Sequence, residues 1–180
     1  ALYTPPVRVD GRSAIDDLRM DIGEMTLNIE ARGWDAREQR WVTTDDIEQL
    51  AAGDAVAISW RDAAPVLQVR GGMTVALDSS LNINLEPGWN LIGQPFPYAI
   101  SWDNVAQANP HADIDGPWVE NEGLHLARIW QPWHGAWIYS NSNLITSFEI
   151  PAGDTVLAEI MPDTTLLSRM PASLAQQTVW

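Results

Sequence analysis

The chain of 180 residues contains no cysteine and no lysine. Without cysteine there is no disulfide framework, thiolate zinc site, iron–sulfur cluster or cysteine nucleophile. Without lysine there is no Schiff-base chemistry and no phosphate-gripping lysine of a P-loop. Positive charge is scarce in general: ten Lys plus Arg stand against 24 Asp plus Glu, a formal net charge of −14. Nucleic acids and anionic membrane surfaces are bound mainly through cationic side chains, so neither is an expected partner. No apolar run approaches the ~20 residues of a membrane-spanning helix, so no membrane insertion is expected. His111, His125 and His134 are too few for a His-rich metal site.

Phenylalanine and tyrosine are also sparse, at two and three, yet there are ten tryptophans. With 46% hydrophobic residues the chain can bury a substantial core. The indole excess is its most informative feature.

Short alternating segments dominate the pattern. Met25–Arg32 sets Leu27, Ile29 and Ala31 against Thr26, Asn28 and Glu30. Ala55–Trp60, Val66–Arg70, Met73–Asp78, Leu81–Glu86 and Trp89–Gly93 follow. Later come Leu126–Trp130, Ala136–Ser140, Ile145–Ile150 and Thr155–Ile160. A period of two predicts strands that each bury one face. Asp78-Ser79-Ser80 and Asn141-Ser142-Asn143 read as hairpin turns. The expected fold is all-β: an antiparallel β-sandwich with one or two short helices. The helical candidates are Ser13–Met20 and Asp45–Ala51, each opening on a capping residue with acids in the first turn. Ala172–Val179 is a third helix or an extended tail.

The chain is read as one unit, 1–180. Ser13–Asp17 resembles Tyr98–Trp102, and GDAVAISW at Gly53 resembles GAWIYS at Gly135. The similar offsets suggest pseudo-repeat halves, 1–80 and 81–165, against the alternative of chance likeness between strands. Ala1 opens without a leader pattern and the chain stops abruptly at Trp180, which suggests a piece of a longer protein.

From Gly88 the sequence reads GWNLIGQPFP, with Trp133-His134-Gly135-Ala136-Trp137-Ile138-Tyr139 and Ile150-Pro151-Ala152-Gly153 further on. This constellation, spanning about Leu81–Gly153, resembles β-rich accessory modules of large secreted bacterial proteins. The resemblance implies a secreted or cell-surface location, neighbouring domains in a longer chain, and a non-enzymatic accessory role. It carries over no catalytic residue.

Trp130, Trp133, Trp137 and Tyr139 fall within ten positions. On a strand Trp137 and Tyr139 share a face, and Pro132 bends the chain between Trp130 and Trp133. Flat rings match the C–H faces of sugars, and Asn141 and Asn143 supply hydrogen bonds nearby. The expected function is therefore a non-catalytic carbohydrate-binding module that stacks polysaccharide or oligosaccharide on these residues. The alternative is a structural or protein-interaction module in which the same rings fill the core. Trp34, Trp41, Trp60, Trp102 and Trp118 are further stacking candidates, each beside polar or turn residues.

Between His111 and Glu122, Asp113, Asp115, Gly116 and Glu122 fall at the third, fifth, sixth and twelfth positions of a calcium-type loop. A histidine in the first position and a proline after the glycine depart from that pattern. An acidic surface turn and a structural calcium held by Asp113, Asp115 and Glu122 are the two readings; no other cofactor is required. No G-x-S-x-G, H-E-x-x-H or glycine-rich phosphate loop occurs, and no carboxylate pair stands out for glycoside hydrolysis. The chain is read as not an enzyme.

Overall fold

A computed structural model describes residues 2–3, 7–8, 29–43, 51–60, 73–120 and 123–152. Among these residues fourteen strands and one short helix run in the order β1 (Leu2–Tyr3), β2 (Val7–Arg8), β3 (Ile29–Asp35), β4 (Arg40–Thr43), β5 (Val56–Trp60), β6 (Met73–Thr74), β7 (Leu81–Leu85), β8 (Gly88–Gly93), β9 (Ile100–Ser101), α1 (Trp102–Ala108), β10 (Ile114–Glu120), β11 (Leu124–Leu126), β12 (Ile129–Trp130), β13 (Gly135–Ser140) and β14 (Thr146–Ile150). Every strand pairing is antiparallel. One four-stranded sheet has the order β1-β5-β3-β4 and another β11-β10-β13-β8, with ribbons β12-β9, β14-β7 and β2-β6. The fold is all-β.

The sheet built on β8 and β13 lies between two apolar clusters. Alternate residues of each strand enter opposite sides: Ile92, Ala136 and Ile138 join Leu85, Phe96, Ile100, Trp130, Phe148 and Ile150 on one. Trp89, Leu91 and Trp137 join Ala55 and Trp118 on the other. These two strands therefore bury both faces rather than the single face that a period of two suggests. That is why Trp89–Ile92 and Ala136–Tyr139 read as nearly unbroken apolar runs.

Both expected hairpin turns connect strands that do not pair. β13 pairs with β10 and β8 while β14 pairs with β7, so Asn141–Asn143 crosses between sheets. Asp78–Ser80 likewise leads from β6, paired with β2, to β7. The helix α1 was not expected, because Ala99–Trp102 alternates like a strand. Ser101 caps it, its Oγ accepting from Asp103 N at 3.2 Å. The candidate helices Ser13–Met20 and Ala172–Val179, all of Asp45–Ala51 except Ala51, and the strands Val66–Arg70 and Thr155–Ile160 lie outside the described residues.

β10 replaces the expected calcium-type loop. Gly116 and Pro117 sit at a register shift between Asp115 and Trp118, where a bulge lets a proline enter a strand. Gly116 has φ +144, and a Cβ there would meet the Trp137 carbonyl oxygen at 3.0 Å.

Candidate functional site

The aromatic residues converge on Trp137. Trp34 and Trp41 are cross-strand partners on the β3–β4 hairpin. Their ring centroids lie 5.2 and 5.5 Å from that of Trp137, with planes at 85° and 88° to it. They lie 5.5 Å from each other at 80°. Trp89 completes the group at 6.4 Å and 89°, and Tyr139 stands 5.1 Å from Trp89. Such edge-to-face pairs contribute about 0.5–1.5 kcal/mol each beyond area burial. Trp137 and Trp89, 1% and 2% exposed, are enclosed. The group joins the hairpin of one sheet to the centre of the other.

The polar residues of the GWNLIGQPFP stretch turn inward and satisfy backbone groups. Asn90 is buried; its Oδ1 accepts from Glu86 N at 2.9 Å, and its Nδ2 donates to Glu86 O and Gly88 O at 2.8 and 2.9 Å. This closes the Glu86–Gly88 turn. Gln94, 0% exposed, accepts from Phe96 N and donates to Tyr98 O, shaping the turn around Pro95 and Pro97. Gln39 reaches across from the β3–β4 turn, accepting from Trp89 N and donating to Trp89 O, both at 2.9 Å. Trp34 Nε1 donates to the same Trp89 oxygen at 2.8 Å. The motif thus carries folding information, and none of these amides is offered to a ligand.

No protein family, curated protein or solved structure matches the chain.

The expected stacking set does not assemble. Trp130 is 0% exposed in the first cluster, its Nε1 donating to His134 O at 2.9 Å. Trp137 is 1% exposed in the second cluster. Both are corrected from ligand platform to core, because β12, in its ribbon with β9, and β13 direct them into the two different apolar clusters. Trp137 and Tyr139 do share a face, but it is covered by Trp89 and the hairpin. Trp118 is also core, at 1%. Trp34, Trp41 and Trp102 are half-buried, and nothing is described of the Trp60 side chain. Among the described residues of the named aromatic set, only Trp133, 41% exposed, is fully at the surface. Asn141 and Asn143 are exposed.

Asn141 Nδ2 donates to Asp113 Oδ1 at 3.1 Å and to Asp115 Oδ2 at 3.2 Å, so two of the candidate calcium ligands converge on one amide. The third, Glu122, lies outside the described residues. Among the described residues no group of three or more His, Asp or Glu is placed to hold a metal ion. A small cleft of about 210 Å³ lies where the Asn109–Ala112 segment meets β14, lined by Asn82, Asn109, His111, Thr146, Ser147 and Glu149. Asn109 is committed there to the backbone of Glu149, accepting from its N and donating to its O, both at 2.8 Å. Asp54, after the Ala51–Gly53 turn, has its carboxyl raised above the usual carboxylate range by desolvation, opposed by a hydrogen bond from Ala51 N at 2.7 Å. No helix among the described residues is long and apolar enough to cross a membrane.

Sequence reasoning missed Gln39 and Gln94. Gln39 has no local signal, since it acts on Trp89 fifty residues on; Gln94 acts on Phe96 and Tyr98 in its own turn, where its place in the GWNLIGQPFP stretch was the only signal.

Proposed function

We propose that the chain is a non-catalytic, structural module, an accessory domain of a secreted or surface protein, whose tryptophans serve as internal mortar. The observation carrying this reading is the burial of Trp137 among Trp34, Trp41 and Trp89. Rings that would have formed a sugar platform instead hold two sheets together. Asn90 and Gln94 support the same reading, since both are occupied by the backbone. The partners of such a module are the neighbouring domains of its parent chain or other proteins.

The test uses Trp118→Phe and Trp137→Phe, which keep an aromatic core residue while removing the indole. Whatever retention the wild-type chain shows on insoluble polysaccharides, both variants are expected to retain equally. Loss of retention in a folded Trp137→Phe variant would return the cluster to ligand binding and overturn the structural reading. Release of reducing sugar across a polysaccharide panel would overturn the non-catalytic part.

A further inference from the structure

Trp133 differs from the other tryptophans described. It is 41% exposed, while its neighbours in sequence, Trp130 and Trp137, are 0% and 1% exposed. It belongs to neither apolar cluster, and among the described residues its ring meets no other aromatic ring. Its backbone is left-handed, with φ 58. That region suits glycine or asparagine and is unfavourable for a bulky side chain.

The turn that carries it is tightly fixed. Trp133 N donates to Gln94 O at 2.9 Å, and Gln94 N donates to His134 O at 3.2 Å. The buried Trp130 indole donates to the same His134 oxygen at 2.9 Å, and His134 N donates to Gln131 O at 3.3 Å. A large apolar ring is thus held rigidly at the surface, in a backbone conformation that a smaller residue would occupy at lower energy. Strain of this kind, imposed by surrounding bonds on a residue outside the core, points from geometry to function.

We infer that Trp133 is a carbohydrate contact: its indole stacks on the C–H face of a single pyranose ring, with Gln131 and His134 available to the hydroxyls. The surroundings favour a sugar over a protein partner. Protein interfaces form around a desolvated apolar centre, with about 800 Å² buried on each side. The exposed residues next to Trp133 in the chain, Gln131 and His134, are both polar. The strongly exposed Leu144 and Ile145 follow the Ser140–Gly88 end of the β13–β8 ladder, whereas Trp133 precedes the Gly135–Gly93 end. Those ends lie roughly 17 Å apart at about 3.4 Å per residue. One indole in a polar frame has the size and chemistry of one sugar ring. The inference goes beyond the structural role of the buried tryptophans and does not require it.

The test is affinity electrophoresis of the full chain through hydroxyethyl cellulose, arabinoxylan and galactomannan, with binding to solid cellulose and chitin alongside. Wild type, Trp133→Gly, Trp133→Tyr and Trp137→Phe are compared, with Trp137→Ala added as the melting reference. Trp133→Gly is expected to weaken the strongest interaction at least tenfold, Trp133→Tyr to keep part of it and Trp137→Phe to keep all of it. Trp133→Gly should also melt close to wild type, the loss of partial packing being offset by a relaxed backbone. Absence of any wild-type interaction across the five polysaccharides overturns the inference. So does equal binding by Trp133→Gly, or a fall in its melting temperature as large as that of Trp137→Ala, which would make the ring structural. Loss of binding in Trp137→Phe alone would contradict the structural reading and leave Trp133 without a role.

Discussion

The side-chain amide of Gln39 pairs with Trp89 as the backbone of an adjacent strand would, taking its N–H and supplying its C=O, each at 2.9 Å. The same device recurs at Asn90 with Glu86 and at Asn109 with Glu149. Each amide meets both the N–H and the C=O of a single residue. An unpaired buried peptide group costs about 1–3 kcal/mol, so these side chains set the geometry of the elements they touch.

Gln39→Ala leaves the Trp89 N–H without its acceptor, and urea unfolding should show a loss of about 1–3 kcal/mol. Gly88→Ala should also destabilise. Its φ is +89, and a Cβ there would lie 2.8 Å from Gln39 Oε1. Because the clash is with Gln39 itself, the double variant should lose less than the sum of the two single losses. Strict additivity would mean that the two residues do not interact as described.

Trp137→Ala removes the central ring of the indole group and should lower stability by about 3–5 kcal/mol. Trp34→Ala, at the half-buried rim, should cost less, with loss of the hydrogen bond to Trp89 O included. Near-ultraviolet circular dichroism, which reports fixed indole environments, should weaken in both. A Trp137→Ala variant as stable as wild type would contradict the packing.

Asn90→Ala removes three hydrogen bonds from the Glu86–Gly88 turn and should cost about 2–3 kcal/mol. Asn90→Asp should be at least as harmful at neutral pH. A carboxylate would face the Glu86 and Gly88 carbonyl oxygens that the amide now serves. Chemical denaturation at pH 7 distinguishes the two.

Asp54 gives the pH dependence. Its carboxyl is shifted up from its ordinary 3.8 by desolvation, against the hydrogen bond from Ala51 N, and because the residue is exposed at the surface the effect on stability is small. The folded state then holds its proton more tightly than the unfolded state, so this group's contribution falls as pH rises from 3.8 through the raised value. Asp54→Asn keeps an oxygen for Ala51 N and should raise the melting temperature at pH 7 relative to wild type. That advantage should fade as the pH is lowered below the ordinary carboxylate range. A variant less stable at pH 7 would contradict the desolvation.

The strands of the second half were largely legible, because alternation at Leu81–Glu86, Trp89–Gly93, Ala136–Ser140 and Ile145–Ile150 coincides closely with β7, β8, β13 and β14. The pairing was not. Asn141–Ser142–Asn143 has hairpin composition, yet its strands find different partners, a choice made by two cores and not by the turn. β10 was hidden because Asp113, Asp115 and the Gly116–Pro117 pair look like loop residues, and only the bulge opposite Trp137 accommodates them in a strand. The indole excess pointed to rings offered for stacking, whereas Trp89, Trp118, Trp130 and Trp137 are core. Its division between core and surface could not be read locally: Trp130, Trp133 and Trp137 share one short segment, and the β12–β9 ribbon, a left-handed turn and the central strand β13 send them to three different environments.

The central claim, that Trp89, Trp118, Trp130 and Trp137 are interior and that Trp133 is the most exposed of the expected stacking tryptophans described, is tested most directly by fluorine NMR of 5-fluorotryptophan protein. Resonances are assigned by single Trp→Phe substitutions and measured with and without a soluble paramagnetic agent. The Trp89, Trp118, Trp130 and Trp137 signals should resist broadening while the Trp133 signal broadens strongly. Broadening of Trp130 and Trp137 to the same degree as Trp133 would contradict the account and restore an exposed aromatic platform.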